Sequence, residues 1–77
     1  MNALIFTYEG GNDYSPYSRI VAISNDTDKL IDKMNECVEK EKEDGYEVVT
    51  SYDDIVTMMG EDETFINYKI EYDIEMI

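Results

Sequence analysis

The end of the chain shows the clearest alternation of hydrophobic and polar residues. Within residues 64–77, every even position from 66 to 76 is apolar and every position between them is polar. Such alternation predicts one long strand with one face on a core and the other in water. The predicted inward residues are Ile66, Tyr68, Ile70, Tyr72, Ile74 and Met76, and the outward ones are Asn67, Lys69, Glu71, Asp73 and Glu75. The outward face is therefore expected to be mostly acidic.

Two shorter apolar runs, at residues 3–8 and 19–24, predict two further strands. The connection between them, residues 9–18, contains two glycines, Asn12, Asp13 and Pro16, which all favour turns. A hairpin with a long loop is the expected arrangement. Both runs are apolar at successive positions, which indicates strands that lie inside the sheet or are covered on both faces.

Helical periodicity follows between Asn25 and Gly45. Asn25 is the predicted N-cap, with Asp28 completing a box-like arrangement at the positive end of the helix. Gly45 is expected to end the helix as a glycine C-cap does. One apolar stripe is formed by Leu30, Ile31, Met34, Cys37 and Val38.

Residues 46–50 fit either a short strand or an extended connection. After them, Ser51 and Asp54 repeat the capping pattern, and the next apolar residues again have helical spacing. These residues are Tyr52, Ile55, Val56 and Met59. The pattern predicts a second, shorter helix that ends at Gly60.

These elements predict a single α+β domain over residues 1–77, with two layers. A hairpin makes the first two strands antiparallel, and a helix that returns across the sheet delivers the last strand parallel to the second. The expected order is therefore two, one, last, possibly with one extra short strand. Strand one is then central, the last strand lies at an edge, and both helices pack on one face.

Length and cysteine content narrow the setting. The chain has 77 residues and one cysteine, Cys37, so it cannot form an internal disulfide. A reducing, cytoplasmic location is expected. The N-terminal apolar run is too short to span a membrane and lacks the features of a signal peptide, so no membrane association is expected.

Charge is the strongest compositional signal. Nineteen acidic residues against six basic ones give a net charge of −13 at pH 7. The imbalance is greatest in residues 45–77, where Lys69 is the only base. Such a chain repels nucleic acid and anionic membranes and attracts basic surfaces. We therefore expect no direct binding to nucleic acid.

The sequence offers little catalytic chemistry. It contains no histidine, and Cys37 lies in the apolar stripe of the long helix, where a buried structural thiol is expected. Gly10 and Gly11 lack the further residues of a phosphate-binding loop. The acidic pairs and triplets lack the ligand spacing of a calcium loop. We expect a non-enzymatic protein without a metal or other cofactor.

Two tyrosines in the first loop have no explanation in the periodicity. Tyr14 and Tyr17 flank Pro16, and tyrosine is common at the centres of protein interfaces because it offers a large, stiff contact area. They could anchor a partner, or the loop could fold back and use them as a lid on a small core. The sequence leaves both interpretations open.

In size, acidity and lack of catalytic residues, the chain resembles small acidic phage-encoded anti-defence proteins, such as anti-CRISPR proteins and DNA mimics. These proteins share no common motif, so the resemblance assigns no role to a residue. It implies an inhibitor, in the host cytoplasm, that blocks the basic groove of a nucleic-acid-binding nuclease. Carboxylates would then replace phosphates in charge-assisted hydrogen bonds. The predicted contacts are Glu61, Asp62, Glu63, Glu71, Asp73 and Glu75, with Tyr14 and Tyr17 as anchors.

The alternative is a protein-interaction or dimerisation module. The last strand, as an exposed edge, would pair with a strand of a partner or of a second copy. The acidic residues would then serve solubility and keep that edge from aggregating.

Overall fold

The computed structural model describes residues 1–10, 15–61 and 63–74. The chain forms five strands and one helix in these residues. In chain order they are β1 (Asn2–Tyr8), β2 (Tyr17–Ser24), α1 (Thr27–Glu43), β3 (Glu47–Tyr52), β4 (Ile55–Met59) and β5 (Phe65–Glu71).

The five strands form one antiparallel sheet in the order β2-β1-β5-β4-β3. The predicted α+β class and the neighbours of strand one are thus confirmed. The predicted edge position of the last strand is wrong, because β4 pairs with the side of β5 that β1 leaves free. A dimer formed by adding a strand to β5 is excluded for the same reason. The edges of the sheet are β2 and β3, and α1 connects one edge to the other.

The predicted second helix is wrong, because its residues form the β3–β4 hairpin. Asp53 and Asp54 make the turn between the strands instead of starting a helix. The surrounding residues are rich in β-branched side chains, which favour strands. The apolar residues also fit the period of a strand, since Val56 and Met58 are both buried. Residues 46–50, which fitted two interpretations, contribute most of β3.

The long helix forms nearly where it was predicted, but its cap differs. The N-cap is Asp26 rather than Asn25, and its Oδ1 accepts a hydrogen bond from the Asp28 amide at 3.0 Å. Ser24 Oγ in turn accepts from the Asp26 amide, also at 3.0 Å. Asp44 is the C-cap, and Gly45 follows with φ of +98°, a left-handed conformation that glycine adopts without steric cost.

The core lies between α1 and one face of the sheet. Leu30, Met34 and Val38 of the helix are buried against apolar side chains of the central strands, as the sequence predicts. On the sheet side the cluster contains Leu4, Phe6, Val56, Met58, Ile66, Tyr68 and Ile70. Packing in the core is therefore one-sided, with a single helix packed on one face of the sheet.

The last strand is shorter than predicted. It ends at Glu71, and Tyr72, predicted to be inward, is exposed. The pairing of β5 with β1 ends at Ala3 and its pairing with β4 ends at Ile55. Beyond Glu71, the Ile74 amide donates to the Met1 carbonyl at 2.9 Å. Asp73 turns the chain with φ of +53°, and its amide donates to Asn2 Oδ1 at 3.1 Å. The remaining predicted strand residues, 75–77, lie outside the described residues.

Both edge strands carry a β-bulge. Val21 is the extra residue opposite β1, and Val49 is the extra residue opposite β4. A bulge interrupts the row of backbone groups that an incoming strand would pair with, and natural sheets use it to prevent edge-to-edge association.

The capping geometry predicts a difference between two neighbouring residues. Asp26→Ala removes the side-chain acceptor for the Asp28 amide, so we expect the free energy of unfolding to fall by about 1 kcal/mol. Asn25→Ala is the matched control and should change it by less than about 0.5 kcal/mol. Urea denaturation of both variants measures the difference. A larger loss for Asn25→Ala would contradict the assignment of the cap.

Candidate functional site

The candidate site lies at the end of the sheet where the chain leaves α1 and where β4 turns into β5. Two shallow depressions adjoin there, with volumes of about 210 and 320 Å³, and both are bordered by Gly60 and Glu61. Four carboxylates surround them: Asp44, Glu47, Glu61 and Glu63. We call this set the acidic end.

Local backbone geometry places these carboxylates. The Gly60 amide donates to the Thr64 carbonyl at 2.9 Å, and the Glu63 amide donates to the Gly60 carbonyl at 3.1 Å. Glu63 itself has φ of +59°, which closes the turn. These bonds fix a tight turn that holds Glu61 and Glu63 at the end of the sheet.

The helix end and the β4–β5 turn meet through Tyr46. A Cβ atom added to Gly60 would lie 3.0 Å from Tyr46 Cε1, so any other residue there would require the ring to shift by a few tenths of an ångström. The register pairs Glu47 with Met59, which brings the start of β3 beside the same turn. Asp44 and Glu47 thereby join the two glutamates of the turn around one surface.

No base neutralises the acidic end. Among the described residues, which include all six basic side chains, the ion pairs lie elsewhere. Three are on the helix surface, at 3.1 to 3.7 Å, and the fourth joins Lys69 Nζ to Glu71 Oε1 at 2.9 Å. The four carboxylates of the acidic end take part in none of them. Their charges add, giving a locally negative potential.

Beside the acidic end, two tyrosines anchor the last turn of α1 to the sheet. The Tyr68 hydroxyl donates to Glu41 Oε1 at 3.3 Å. Burial, and secondly the Glu41 carboxylate, raise the pKa of Tyr68 well above its ordinary value of 10.0. The pKa of Tyr46 is raised by the same two causes in the same order. Both tyrosines thus stay neutral where they support the helix end.

The structure separates the predicted acidic contacts into two groups. Glu61 and Glu63 belong to the acidic end, whereas Glu71 and Asp73 lie at the opposite end of β5. Six residue steps along β5, at about 3.3 Å each, place the two groups roughly 20 Å apart. The predicted acidic contacts that the structure describes therefore do not form one continuous surface. Asp62 and Glu75 lie outside the described residues.

The outward face of β5 is also less acidic than predicted. Its side chains from Phe65 to Glu71 carry one positive and one negative charge, and these are the charges of the Lys69–Glu71 ion pair. Asp73 lies beyond the strand.

Of the two predicted tyrosine anchors, Tyr17 is described and Tyr14 is not. Tyr17 begins β2, and its ring stacks on Tyr8 with centroids 5.4 Å apart. It also lies 6.1 Å from the Phe6 ring, yet it remains 55% exposed. The register pairs Tyr8 with both Tyr17 and Ile66, which places Tyr17 at the same end of the sheet as the β4–β5 turn. Tyr17 thus combines a packed ring with an accessible surface.

Sequence reasoning missed Asp44 and Glu47. Both flank the glycine that ends α1, and nothing in their spacing connects them to residues 60–63. The connection is made by the pairing of β3 with β4, which the prediction of a second helix had hidden. A prediction of the β3–β4 hairpin would have brought these two residues beside the β4–β5 turn.

Other kinds of site find little support in the described part of the chain. No group of three or more acidic, cysteine or histidine side chains there could hold a metal ion. Cys37 is half-buried on α1. No helix in these residues is both long and apolar enough to cross a membrane. No protein-family model, curated protein or solved structure matches the chain.

The buried hydroxyl of Tyr68 predicts loss of stability at alkaline pH. Folding holds the pKa of Tyr68 above 10.0, so its contribution to stability is complete below pH 10 and is lost as the pH rises beyond it. Tyr68→Phe should remove up to one proton from this dependence, a slope of about 1.4 kcal/mol per pH unit.

Urea midpoints between pH 8 and 12 measure the effect, read at each pH as the difference between variant and parent. Tyr52→Phe, at an exposed tyrosine, is the control and should leave the profile unchanged. Identical alkaline slopes for the parent and Tyr68→Phe would contradict the assigned role of this hydroxyl.

Proposed function

We propose that the protein is a non-enzymatic inhibitor whose acidic end occupies a basic, nucleic-acid-binding surface of another protein. The observation that carries this proposal is the convergence of four carboxylates from three segments on one end of the sheet, without a base to neutralise them. Carboxylates held in this way can accept the hydrogen bonds that lysine and arginine normally donate to phosphates.

The shape of the acidic end supports the binding of long basic side chains. Each depression combines carboxylates with one large aromatic or apolar side chain, Tyr46 in one and Met59 in the other. Lysine and arginine pack their methylene stems against apolar surface while their charged heads stay near water or an acceptor. The ring of Tyr46 adds a face that attracts cations.

The class of target follows from the resemblance to phage-encoded anti-defence proteins. A nuclease that binds nucleic acid in a basic groove is the expected partner, and an RNA-guided DNA nuclease is the representative case. The inhibitor would act in the cytoplasm of the host, in competition with nucleic acid. Tyr17, exposed at the same end of the sheet, is the proposed aromatic anchor.

Two charge-matched variants test this proposal. The first neutralises the acidic end through Asp44→Asn, Glu47→Gln, Glu61→Gln and Glu63→Gln. The second removes an equal number of charges from the opposite end of the sheet, through Asp53→Asn, Asp54→Asn, Glu71→Gln and Asp73→Asn. Both variants have the same net charge, so a difference between them reports on location alone.

The measurement is DNA cleavage by a panel of purified RNA-guided nucleases in the presence of each variant. Where the parent inhibits, the first variant should lose at least about tenfold in potency, equivalent to one charge-assisted hydrogen bond. The second should lose less, which also tests the predicted contacts Glu71 and Asp73. Inhibition should weaken steeply as salt rises. Equal losses would show that only net charge matters, and no inhibition across the panel would oppose this class of target.

A further inference from the structure

The face of the sheet opposite α1 has no covering layer in the described residues. The strand register shows which side chains lie on this face. Residues paired across strands point to the same side of the sheet, so the residues that alternate with the core positions point to this face. We call this surface the open face. One row across all five strands consists of Ile20, Ile5, Lys69, Ile55 and Tyr52, and the next consists of Ser18, Thr7, Asn67, Thr57 and Thr50.

The open face exposes several large apolar side chains to water. Ile20 is 56% exposed, Tyr52 is 67% exposed and Phe65 is 36% exposed. The row of hydroxyl and amide groups is partly satisfied within itself. Thr7 and Ser18 share a hydrogen bond at 3.0 Å, and Asn67 Nδ2 donates to Thr57 Oγ1 at 3.1 Å. Such polar groups can be covered without a large desolvation cost, and contiguous apolar patches mark interaction sites.

Its charge separates the open face from the rest of the molecule. It carries Lys69 and Glu71, which pair with each other, and Glu47 at one corner. The charge of the face is therefore −1, against −13 for the whole chain. A basic partner of the acidic end would gain almost no electrostatic attraction here. The face suits a surface that is itself flat, apolar and nearly neutral.

We propose that the occupant of the open face is a second copy of this chain, which packs face to face to form a four-layer dimer with the helices outside. Five strands about 4.8 Å apart and about 20 Å long give a flat area of roughly 500 Å² per copy, at the low end for specific interfaces. In a two-fold interface, when one residue contacts a second residue of the other copy, the reverse contact forms as well. An axis near the Lys69–Glu71 pair sets each lysine opposite a glutamate of the other copy.

Face-to-face packing gives a finite dimer and does not require a free sheet edge, whereas strand addition does. The bulges at Val21 and Val49 interrupt both edges of the sheet. Stacked sheets pack about 10 Å apart and need no edge. The dimer therefore stops at two copies.

Salt distinguishes this dimer from the proposed inhibition. Two copies of net charge −13 repel each other at long range, and salt screens that repulsion while apolar contacts persist. The dimer should strengthen as salt rises, whereas binding of the acidic end to a basic partner weakens. Each proposal can consequently fail without the other.

Sedimentation velocity tests the proposal on the unmodified chain. Between roughly 10 μM and 1 mM protein, the range expected of an interface this small, the average mass should rise toward a dimer. The rise should begin at lower concentration in about 500 mM NaCl than in about 50 mM. A chain that stays monomeric throughout leaves the open face to a different protein and overturns the proposal.

Two substitutions at matched positions locate the interface. Ile23 and Val48 are both 38% exposed and both lie on edge strands, but Ile23 belongs to the open face and Val48 to the face that carries α1. Ile23→Lys should weaken the dimer at least about tenfold, as burial of an unpaired charge does. Val48→Lys should leave it unchanged. Equal effects of the two would overturn the assignment to the open face.

Methyl NMR of the parent chain gives an answer that needs no substitution. The chain offers isoleucines on both faces: Ile5, Ile20, Ile23 and Ile55 on the open face, and Ile66 and Ile70 in the core. With increasing concentration, the methyl signals of the first group should shift and those of the second should not. Shifts confined to other residues would place the contact elsewhere and overturn the proposal.

Discussion

The packing of β5 against a single helix is the constraint on which the rest of the structure depends. Ile66, Tyr68 and Ile70 point to one side of the central strand and meet the apolar stripe of α1. A helix of 17 residues is about 26 Å long and about 10 Å wide, so it packs on β2, β1 and β5 over part of one face and leaves the other face without a layer. The chain has no second helix in its described residues, so no helix covers the apolar side chains of the open face.

The same constraint distributes the charge. The buried side chains of the described residues are apolar, apart from the hydroxyl of Tyr68, which donates to Glu41. Acidic residues therefore occupy the outer surface of α1 and the connections between elements. On the helix they have lysine neighbours, which form three ion pairs. At the turn after β4 and the segment after α1 there is no lysine, and like charges that face each other there lower stability. A partner that neutralises them would recover that loss.

The sequence predicted those features that rest on long, regular patterns. The first hairpin, α1 and the inward residues of β5 each follow from periodicity over a full element, and the order β2-β1-β5 follows from handedness and pairing rules. The β3–β4 hairpin was missed because Tyr52, Ile55, Val56 and Met59 satisfy helical spacing over a stretch too short to exclude a strand. The segment forms a hairpin because it pairs with the free side of β5, and such pairing between distant segments is a tertiary effect. The acidic end was half predicted for the same reason: Glu61 and Glu63 are local to one turn, whereas Asp44 and Glu47 reach it only through that pairing.

The two proposed surfaces can operate together because they share only Glu47, which belongs to the acidic end and lies at a corner of the open face. Asp44, Glu61 and Glu63 lie on connections beyond the ends of the strands, so a partner copy on the open face leaves these three uncovered. A dimer then presents two acidic ends, and a target with two basic sites at a suitable distance would bind both in one complex. The second contact becomes intramolecular, which raises the overall affinity without any new interaction. Since salt strengthens the dimer and weakens each acidic contact, such bivalent binding would depend less on ionic strength than a single acidic end does.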